Sequence, residues 1–344
     1  MTDNIPNVPT ITIGQVPAII KSAYTSNANN QQVPSFEGDP GNGKTAAVEQ
    51  AAEDLGIGCV VFSAPLMDPA TSAGLPTPVK DADEYILHWA NDSRWPRERT
   101  HGERGILFID EFWAASPFVK NAMSGLIHGG KMGSYTLPKG WMIVVAGNLM
   151  TNKAGVTQTG SHIKSRLERY KVTTAFNAVK KYWTDRGLNI KVLAFLDQHG
   201  DKLSTFSPDA ELYASPRGWE KVAHIIDTEK DVDVAKLRAQ ATVGVQDADA
   251  LFTYLNSLDN LPKRSEILKN PSRARLADDP GDAYALLSGL AANCGAGDAD
   301  AVVAYVQRYP EELQATFVSQ AKMNNTPLFN TSALTKLNLE VVGA

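Results

Sequence analysis

The sequence is short of cysteine, of long apolar runs and of positive charge. Its 344 residues include only two cysteines, Cys59 and Cys294, so a disulfide framework is excluded and a reducing compartment is expected. No run of about 18 apolar residues occurs, so no membrane-spanning helix is expected. The first ten residues lack a basic stretch followed by an apolar one, so no signal peptide is expected. These absences predict a cytoplasmic protein that does not associate with membranes.

The charge balance argues against a nucleic-acid binder. A net charge of -5 gives no global positive field that could hold a duplex. One basic stretch with an aromatic residue, "RWPRERTHGERG" at 94–105, can be interpreted as a nucleic-acid contact or as a solvated loop. We favour the loop, with cation–π packing on Trp95. The six histidines show no metal-ligand spacing.

Up to about Thr173 the chain alternates short apolar runs with segments of helical spacing. Strands are predicted at "VPSF", "CVVFS", "GILFID" and "WMIVVAGN", and helices at "KTAAVEQAAEDL" and after Ser116, an N-cap followed by proline. The stretch "MDPATSAGLPTPVKDADEY" is predicted to be irregular because proline and glycine interrupt it. Strands alternating with helices predict a parallel, doubly wound α/β domain.

Beyond Thr173 the apolar spacing is helical throughout, with a loop-rich connector near 261–282. The predicted fold class is therefore an α/β P-loop core with a parallel sheet, followed by an all-helical lid and a C-terminal helical extension. The predicted domain boundaries are 1–172, 173–262 and 263–344.

The stretch "EGDPGNGKTA" matches the pattern G-x-x-x-x-G-K-[ST] between Gly38 and Thr45. In such a loop, backbone N–H groups surround phosphate oxygens and the following helix adds its positive end. An ordinary glycine-rich turn is the alternative, and the strand–loop–helix context argues against it. The predicted nucleotide-binding residues are Gly38, Pro40, Gly41, Asn42, Gly43, Lys44, Thr45 and Ala46.

Polar side chains follow two of the other predicted strands. Asp110 ends "GILFID", where it can help to hold hydrated Mg²⁺, and Glu111 can orient and deprotonate an attacking water. Asn148 ends the fourth strand, where its amide can hold the water or a γ-phosphate oxygen. The alternatives are that the two acids cap the next helix and that Gly147-Asn148 is an ordinary turn.

These parts, in this order, resemble the AAA+ ATPases. "GKMGSYTLPKGWMIVVAGNLM" resembles the β-hairpin and Asn-bearing strand of one AAA+ branch, and "MDPATSAGLPTP" occupies the place of that branch's insertion. "IKSRLERY" resembles the helix end that carries the arginine finger, and "YASPRGWEKV" resembles the S/T-P-R motif of the lid. Together they are similar to the MoxR family, in particular a bacterial and phage subgroup, from about Gln15 to about Phe317.

The resemblance implies a role for each matched residue. Thr45 and Asp110 would hold Mg²⁺, and Glu111 and Asn148 would act on the attacking water. Arg166 would be the finger that acts on a neighbouring subunit's ATP, with Arg169 as its rival on the same helical face; either can also be a surface residue in an ion pair. Arg217 would be the lid arginine that contacts the γ-phosphate. The sequence departs from the family at Phe112–Trp113, where many relatives have Asn-Arg, so packing is expected to replace a polar contact there.

The resemblance further implies Mg²⁺-dependent ATP hydrolysis by a homo-oligomeric ring, with a hexamer as the expected form. The ring would remodel or mature a protein partner in a chaperone-like way, and partners in this family often carry a von Willebrand factor A domain. The main alternative is an AAA+ motor or loader that acts on nucleic acid. A threading unfoldase is less well supported, because "SAPLMDPATSAG" has no aromatic pore residue. A scaffold that binds but does not hydrolyse nucleotide is disfavoured by the intact Asp-Glu pair.

Overall fold

The computed structural model describes residues 8–26, 33–68, 74–149, 161–259 and 261–341. The chain forms two compact units. The first contains the residues up to Tyr182 together with Leu203–Gly218, and the second contains Trp183–Lys202 and the residues from Trp219 onward. Within the described ranges, no helix is long and apolar enough to cross a bilayer.

The first unit is built on a six-stranded parallel sheet. From one edge to the other, its strands are β1 (Thr10–Thr12), β10 (Leu167–Thr173), β2 (Val33–Glu37), β9 (Gly140–Gly147), β6 (Arg104–Asp110) and β3 (Gly58–Ser63). Its helices are α1 (Val16–Ser26), α2 (Lys44–Leu55), α3 (Glu98–His101), α4 (Pro117–Gly129) and α5 (Ser161–Lys164), and α6 (Phe176–Asp185) starts in it.

Two of the strands predicted from apolar runs, β6 and β9, lie side by side in the interior of this sheet. The side chains from Ile106 to Ile109 on β6 are buried, and so are those from Trp141 to Ala146 on β9. Burial on both faces is typical of parallel sheets covered by helices. Helix α4 begins as predicted, because Ser116 accepts a hydrogen bond from the Val119 N–H and Pro117 occupies the first helical position.

Two small antiparallel hairpins join the unit. Strands β7 (Lys131–Met132) and β8 (Tyr135–Thr136) form the hairpin expected before β9. Strands β4 (Leu75–Asp81) and β5 (Glu84–Ala90) pair over their whole length, so the prediction of an irregular segment was wrong there. A strand at the edge of a sheet tolerates proline, which explains why Pro76 and Pro78 do not interrupt β4. Residues 69–73 of the same stretch lie outside the described residues.

The edge of the sheet that carries β1 and β10 was not predicted. Residues 167–170 of "IKSRLERY" are strand, and the helix before them ends at Lys164. Arg166 and Arg169 therefore do not share a helical face, which corrects that expectation. The physical reason is tertiary: β10 lies between β1 and β2 and pairs with both, and pairing of this kind overrides local helical spacing.

After Thr173 the described residues contain helices and no strand. The predicted architecture, a parallel α/β core followed by an all-helical region, is confirmed. In the second unit, the C-terminal helices enclose their own apolar core, which includes Leu287, Val302, Phe317 and Leu334. The helices after α6 are α7 (Ile190–Gln198), α8 (Pro216–Thr228), α9 (Val232–Val243), α10 (Val245–Asp259), α11 (Arg264–Lys269), α12 (Pro280–Asn293), α13 (Ala299–Val306), α14 (Glu311–Asn324), α15 (Thr326–Phe329) and α16 (Ser332–Val341).

Two further expectations concern single residues. Both cysteines are free thiols, and burial raises the pKa of the Cys59 thiol to about 11, which suits a packed residue. In the basic stretch 94–105, Trp95 is buried and stacks on Phe62 at 4.3 Å between ring centroids. Arg94 lies over the Phe62 ring, so the cation–π contact has a different aromatic partner from the one expected.

Candidate functional site

Four strands bring their carboxyl ends to one edge of the sheet. In the strand register Glu37 lies beside Gly147, and Ser63 lies beside Asp110. Ligands of open α/β sheets bind at this edge, because the loops that follow parallel strands converge there. The segments predicted to carry the chemistry at 38–45, 110–111 and 148 all follow these strand ends.

The glycine loop leaves β2 at Glu37 and enters α2 at Lys44. The Gly38 N–H donates to the Gly147 carbonyl at 3.2 Å, which attaches the loop to the neighbouring strand end. Gly41 and Gly43 have φ of 76° and 90°, a left-handed conformation that residues with a side chain rarely adopt. These two glycines turn the backbone so that α2 begins directly after the loop, and the first N–H groups of a helix have no partner within the helix.

Lys44 lies over the loop with only 8% of its surface exposed. Its Nζ donates to the carbonyls of Gly38 and Asp39, at 3.0 and 2.9 Å, and to Asn42 Oδ1 at 3.0 Å. Burial lowers the pKa of its ammonium from 10.5 to about 8, while the carboxylate of Asp110 acts in the opposite direction. A buried cation held by oxygen acceptors, at the start of a helix, is suited to a polyanionic ligand.

Thr45 and Asp110 meet although 65 residues separate them. The Thr45 hydroxyl donates to Asp110 Oδ2 at 2.7 Å. A hydroxyl and a carboxylate side by side are the hard oxygen ligands that Mg²⁺ takes when phosphate and water supply the rest. The described residues contain no group of three or more His, Cys, Asp or Glu side chains that could hold a metal alone. This donor set therefore fits a magnesium ion that arrives with a phosphate ligand.

Glu111 follows Asp110 in an unusual conformation. Its φ of 54° is left-handed, which a residue with a side chain adopts at an energetic cost. Its N–H donates to Asp110 Oδ1 at 2.8 Å, and its Oε2 accepts a hydrogen bond from the Ser63 hydroxyl at 3.1 Å. The carboxylate of Glu111 is therefore held at the end of the sheet beside β3. Ser63 was not singled out from the sequence, because a lone serine at a strand end carries no pattern.

Asn148 comes directly after β9, the strand between the loop strand β2 and the Asp110 strand β6. Its side chain is half-buried and makes no hydrogen bond to another described residue. The side-chain amide of Asn148 thus lies at the sheet edge that carries the loop and the two acids, and among the described residues its donor and acceptor groups have no partner.

The backbone of Arg217 contacts the glycine loop. Its N–H donates to the Gly41 carbonyl at 3.2 Å, and a side chain added at Gly41 would collide with Ser215 Oγ. Arg217 lies in the first turn of α8, after Pro216, and its side chain is exposed. The charge of Arg217 acts on Lys44, whose pKa it helps to lower. The structure therefore brings Arg217 to the predicted phosphate site, together with Ser215, which sequence reasoning missed.

Arg169 is engaged inside the unit. Its guanidinium makes two hydrogen bonds to the Glu37 carboxylate, at 2.6 and 2.8 Å, and it lies over the Trp113 ring at 5.3 Å. Glu37 is fully buried at the end of β2, immediately before the loop. Trp113 and Phe112 are buried as well, in agreement with the expectation that packing replaces a polar contact there. A guanidinium held in this way is not available to a second subunit, which counts against Arg169 as the finger.

Arg166 lies elsewhere. It is exposed and immediately precedes β10, and no described residue bonds its side chain. In the register, Leu167 pairs with Val33, at the start of β2, whereas the loop follows the end of β2. At about 3.3 Å per residue, the Arg166 backbone lies on the order of 16 Å along the strand direction from the strand end that carries the loop. The structure does not bring Arg166 to the site of its own subunit.

Comparison with known proteins gives a likeness of fold. No family model and no curated protein matches the chain. Among similar solved structures, two point mutants of RuvB from Thermotoga maritima share 14% and 13% identity, with TM-scores of 0.36 and 0.39. The first match covers 75% of both chains, and the second covers 92% of this chain and 85% of that one. A proposed ATPase from Cytophaga hutchinsonii shares 10% identity with a TM-score of 0.33, covering 96% of this chain and 82% of its own. Identities and TM-scores this low carry no inference about activity, which has to come from the site itself.

Proposed function

We propose that this chain is a Mg²⁺-dependent ATPase of the AAA+ type, similar to the MoxR family, which hydrolyses ATP to remodel or mature a protein partner. The observation that carries the proposal is the hydrogen bond of 2.7 Å between Thr45 and Asp110. It joins a glycine loop at a helix start to an acidic strand end, and these are the two halves of a nucleotide–magnesium site.

Each residue then has a role in the reaction. The loop N–H groups and the Lys44 ammonium bind the phosphates, and Thr45 and Asp110 would hold Mg²⁺, which supplies neutralisation of phosphate charge when bound. Glu111 accepts a proton from the attacking water, and Asn148 orients that water or a γ-phosphate oxygen. Arg217 contacts the γ-phosphate from the first turn of α8.

Lys44→Ala tests the site directly. The variant lacks the only ammonium that the structure places on the loop within the described residues, so we expect it to lose ATP binding. Binding is measured by titration calorimetry with Mg-ATP. Lys139→Ala, an exposed lysine in the same unit, is the matched control and should bind as the wild type does. Unchanged affinity in Lys44→Ala would rule out the phosphate-loop assignment.

Assembly is part of the proposal. A finger that lies far from the loop of its own subunit has to act on a neighbour's ATP, so a ring, expected to be a hexamer, is needed for turnover. The partner is proposed to be a protein, as in MoxR-type systems where it often carries a von Willebrand factor A domain.

The alternative, a motor or loader on nucleic acid, finds less support. Trp95, the aromatic residue of the basic stretch 94–105, is only 1% exposed and cannot stack on a base. A gel shift with single- and double-stranded DNA at low and high salt distinguishes the two. Salt-sensitive binding would favour the motor.

A further inference from the structure

The hairpin formed by β4 and β5, Leu75–Ala90, exposes apolar side chains on both faces. All residues of its two strands are exposed. The exposed fraction reaches 75% at Tyr85, 64% at Leu87 and 59% at Leu75. An isolated two-stranded hairpin is at best marginally stable in water, and contiguous exposed apolar surface of this kind marks an interaction site.

Only one edge of this hairpin is open to a further strand. Asp81 and Glu84 close the two-residue turn, so their pair is hydrogen-bonded, and bonded and non-bonded pairs alternate from there. Pro76 and Pro78 fall in non-bonded pairs, where N–H groups point outward, and proline has none to offer. The outer edge of β4 is therefore closed.

The outer edge of β5 keeps its donors. Tyr85, Leu87 and Trp89 are the residues whose N–H and C=O groups point away from β4. The Trp89 carbonyl confirms this direction, because it accepts a hydrogen bond from the Ser134 hydroxyl, outside the hairpin, at 3.2 Å. Tyr85 and Leu87 remain free to pair with an added strand.

We propose that the β5 edge pairs antiparallel with the β5 edge of a second copy of this chain, with Ile86 opposite Ile86. In this register Tyr85 of each copy lies opposite Leu87 of the other, and both exchange backbone hydrogen bonds. The result is a four-stranded sheet with a twofold axis. Its outer edges are the two β4 strands, whose prolines prevent a further strand from pairing. The contact therefore joins two copies and does not extend to a third.

Charge complementarity selects this register. The register with Ile86 opposite Ile86 places Glu84 of each copy opposite His88 of the other. The two residues form a non-bonded pair, in which the Cα atoms are close and a histidine N–H can donate to a carboxylate. Sliding by two residues in either direction puts Glu84 opposite Ile86 or Ala90 and loses both contacts. The central register also leaves the bond between Ser134 and Trp89 intact.

A proline substitution tests the edge. Leu87→Pro removes an outward N–H and leaves the bonds between β4 and β5 in place, because proline is tolerated at such edge positions. Sedimentation of the full chain should show half the wild-type mass. Lys80→Pro is the matched control: Lys80 pairs with Tyr85, and its N–H also points outward, but on the closed edge. Lys80→Pro should keep the wild-type mass.

Disulfide formation tests the register. Opposed Ile86 residues bring their Cα atoms to about 4.5 Å, within reach of a disulfide, whereas the two Leu87 residues are offset to about 8 Å. Ile86→Cys should therefore give a cross-linked dimer on a non-reducing gel, and Leu87→Cys and the wild type should not. Equal masses for the wild type and Leu87→Pro would overturn the proposal. That result is expected if the strand that covers β5 belongs to a different protein. Cross-linking of Leu87→Cys in preference to Ile86→Cys would overturn the register.

Discussion

Glu111 combines a left-handed backbone with a carboxylate held by Ser63 at 3.1 Å. Glu111→Gln keeps the size and the hydrogen-bonding capacity of the side chain but cannot accept a proton from water. We expect the variant to bind Mg-ATP normally and to hydrolyse it at least about 100-fold more slowly, the scale of general-base loss.

Phosphate release under saturating ATP measures this effect, and calorimetry measures the binding. Glu103→Gln, an exposed glutamate before β6, should retain full turnover. Near-normal hydrolysis by Glu111→Gln would place proton abstraction on another group.

Substitution of Arg169 tests whether this residue stabilises the fold or acts as an arginine finger. It is the ion-pair partner of Glu37, which is fully buried, so Arg169→Met leaves an uncompensated carboxylate in the sheet. Loss of one partner of a buried pair costs about 3–5 kcal/mol, which urea unfolding can measure. The double variant Glu37→Gln, Arg169→Met should recover most of this stability.

The opposite pattern would contradict that assignment. If Arg169→Met abolished hydrolysis and left the unfolding free energy unchanged, Arg169 would be the finger and its bond to Glu37 incidental.

At the scale of elements, helix α4 carries a buried lysine. Lys120 is 1% exposed, and its ammonium donates to the Trp113 carbonyl at 2.7 Å. Burial lowers the pKa of Lys120 from 10.5 to about 8, and the charge of Lys164 acts in the same direction. Helix α4 thus anchors the buried Phe112–Trp113 segment, at the cost of burying a cation.

This lowered pKa gives the stability a defined pH dependence. Between about pH 8 and 10.5 the folded chain binds fewer protons at Lys120 than the unfolded chain, so the free energy of unfolding rises with pH. Relative to Lys120→Met, the wild type should gain on the order of 1 kcal/mol between pH 7.5 and 9.5. Urea unfolding at both pH values measures the gain. A flat difference between the wild type and Lys120→Met would refute the lowered pKa.

Local patterns predicted the elements whose causes are local. The loop at 38–45, the strand "GILFID" and the cap at Ser116 follow from glycine placement, apolar runs and side-chain capping, and the structure contains all three. Strand β10 could not be predicted in this way, because its pairing partners β1 and β2 lie more than a hundred residues earlier in the chain.

The contacts around the candidate site show the same limit. Lys44, Asp110 and Glu111 were predicted from residue type and position. Ser63, Ser215 and the pair of Glu37 with Arg169 were not, because their partners are distant in sequence and only folding brings them together. The proposed roles of all these site residues, including Asn148, Arg166 and Arg217, stay predictions, as do the domain boundaries at 172 and 262.

At the scale of the whole molecule, Arg166 provides the test of assembly. The Arg166→Ala subunit keeps its own loop, so it should bind ATP almost as tightly as the wild type, yet its rings should be nearly inactive. Arginine fingers contribute roughly 10³- to 10⁵-fold in rate. Lys44→Ala subunits have a defective pocket and an intact finger. Mixing the two inactive proteins should restore part of the activity, and this part should rise with protein concentration and with subunit exchange.

The mixing experiment has its own internal control. Arg166→Ala mixed with itself offers no interface with an intact finger and should remain inactive. If mixed rings are confirmed by mass and activity stays at zero, Arg166 does not act in trans.

The order of strands also bears on how the chain is made. Strand β10 lies between β1 and β2, so the edge of β2 that carries Glu37 stays without its neighbour until Leu167–Thr173 leaves the ribosome. At a synthesis rate of about 5–20 residues per second, the time between the synthesis of β2 and that of β10 is on the order of 10 s. The peptide N–H of Arg217, which bonds the Gly41 carbonyl, is synthesised later still. The candidate nucleotide site is therefore completed only well after its glycine loop at 38–45 has been translated.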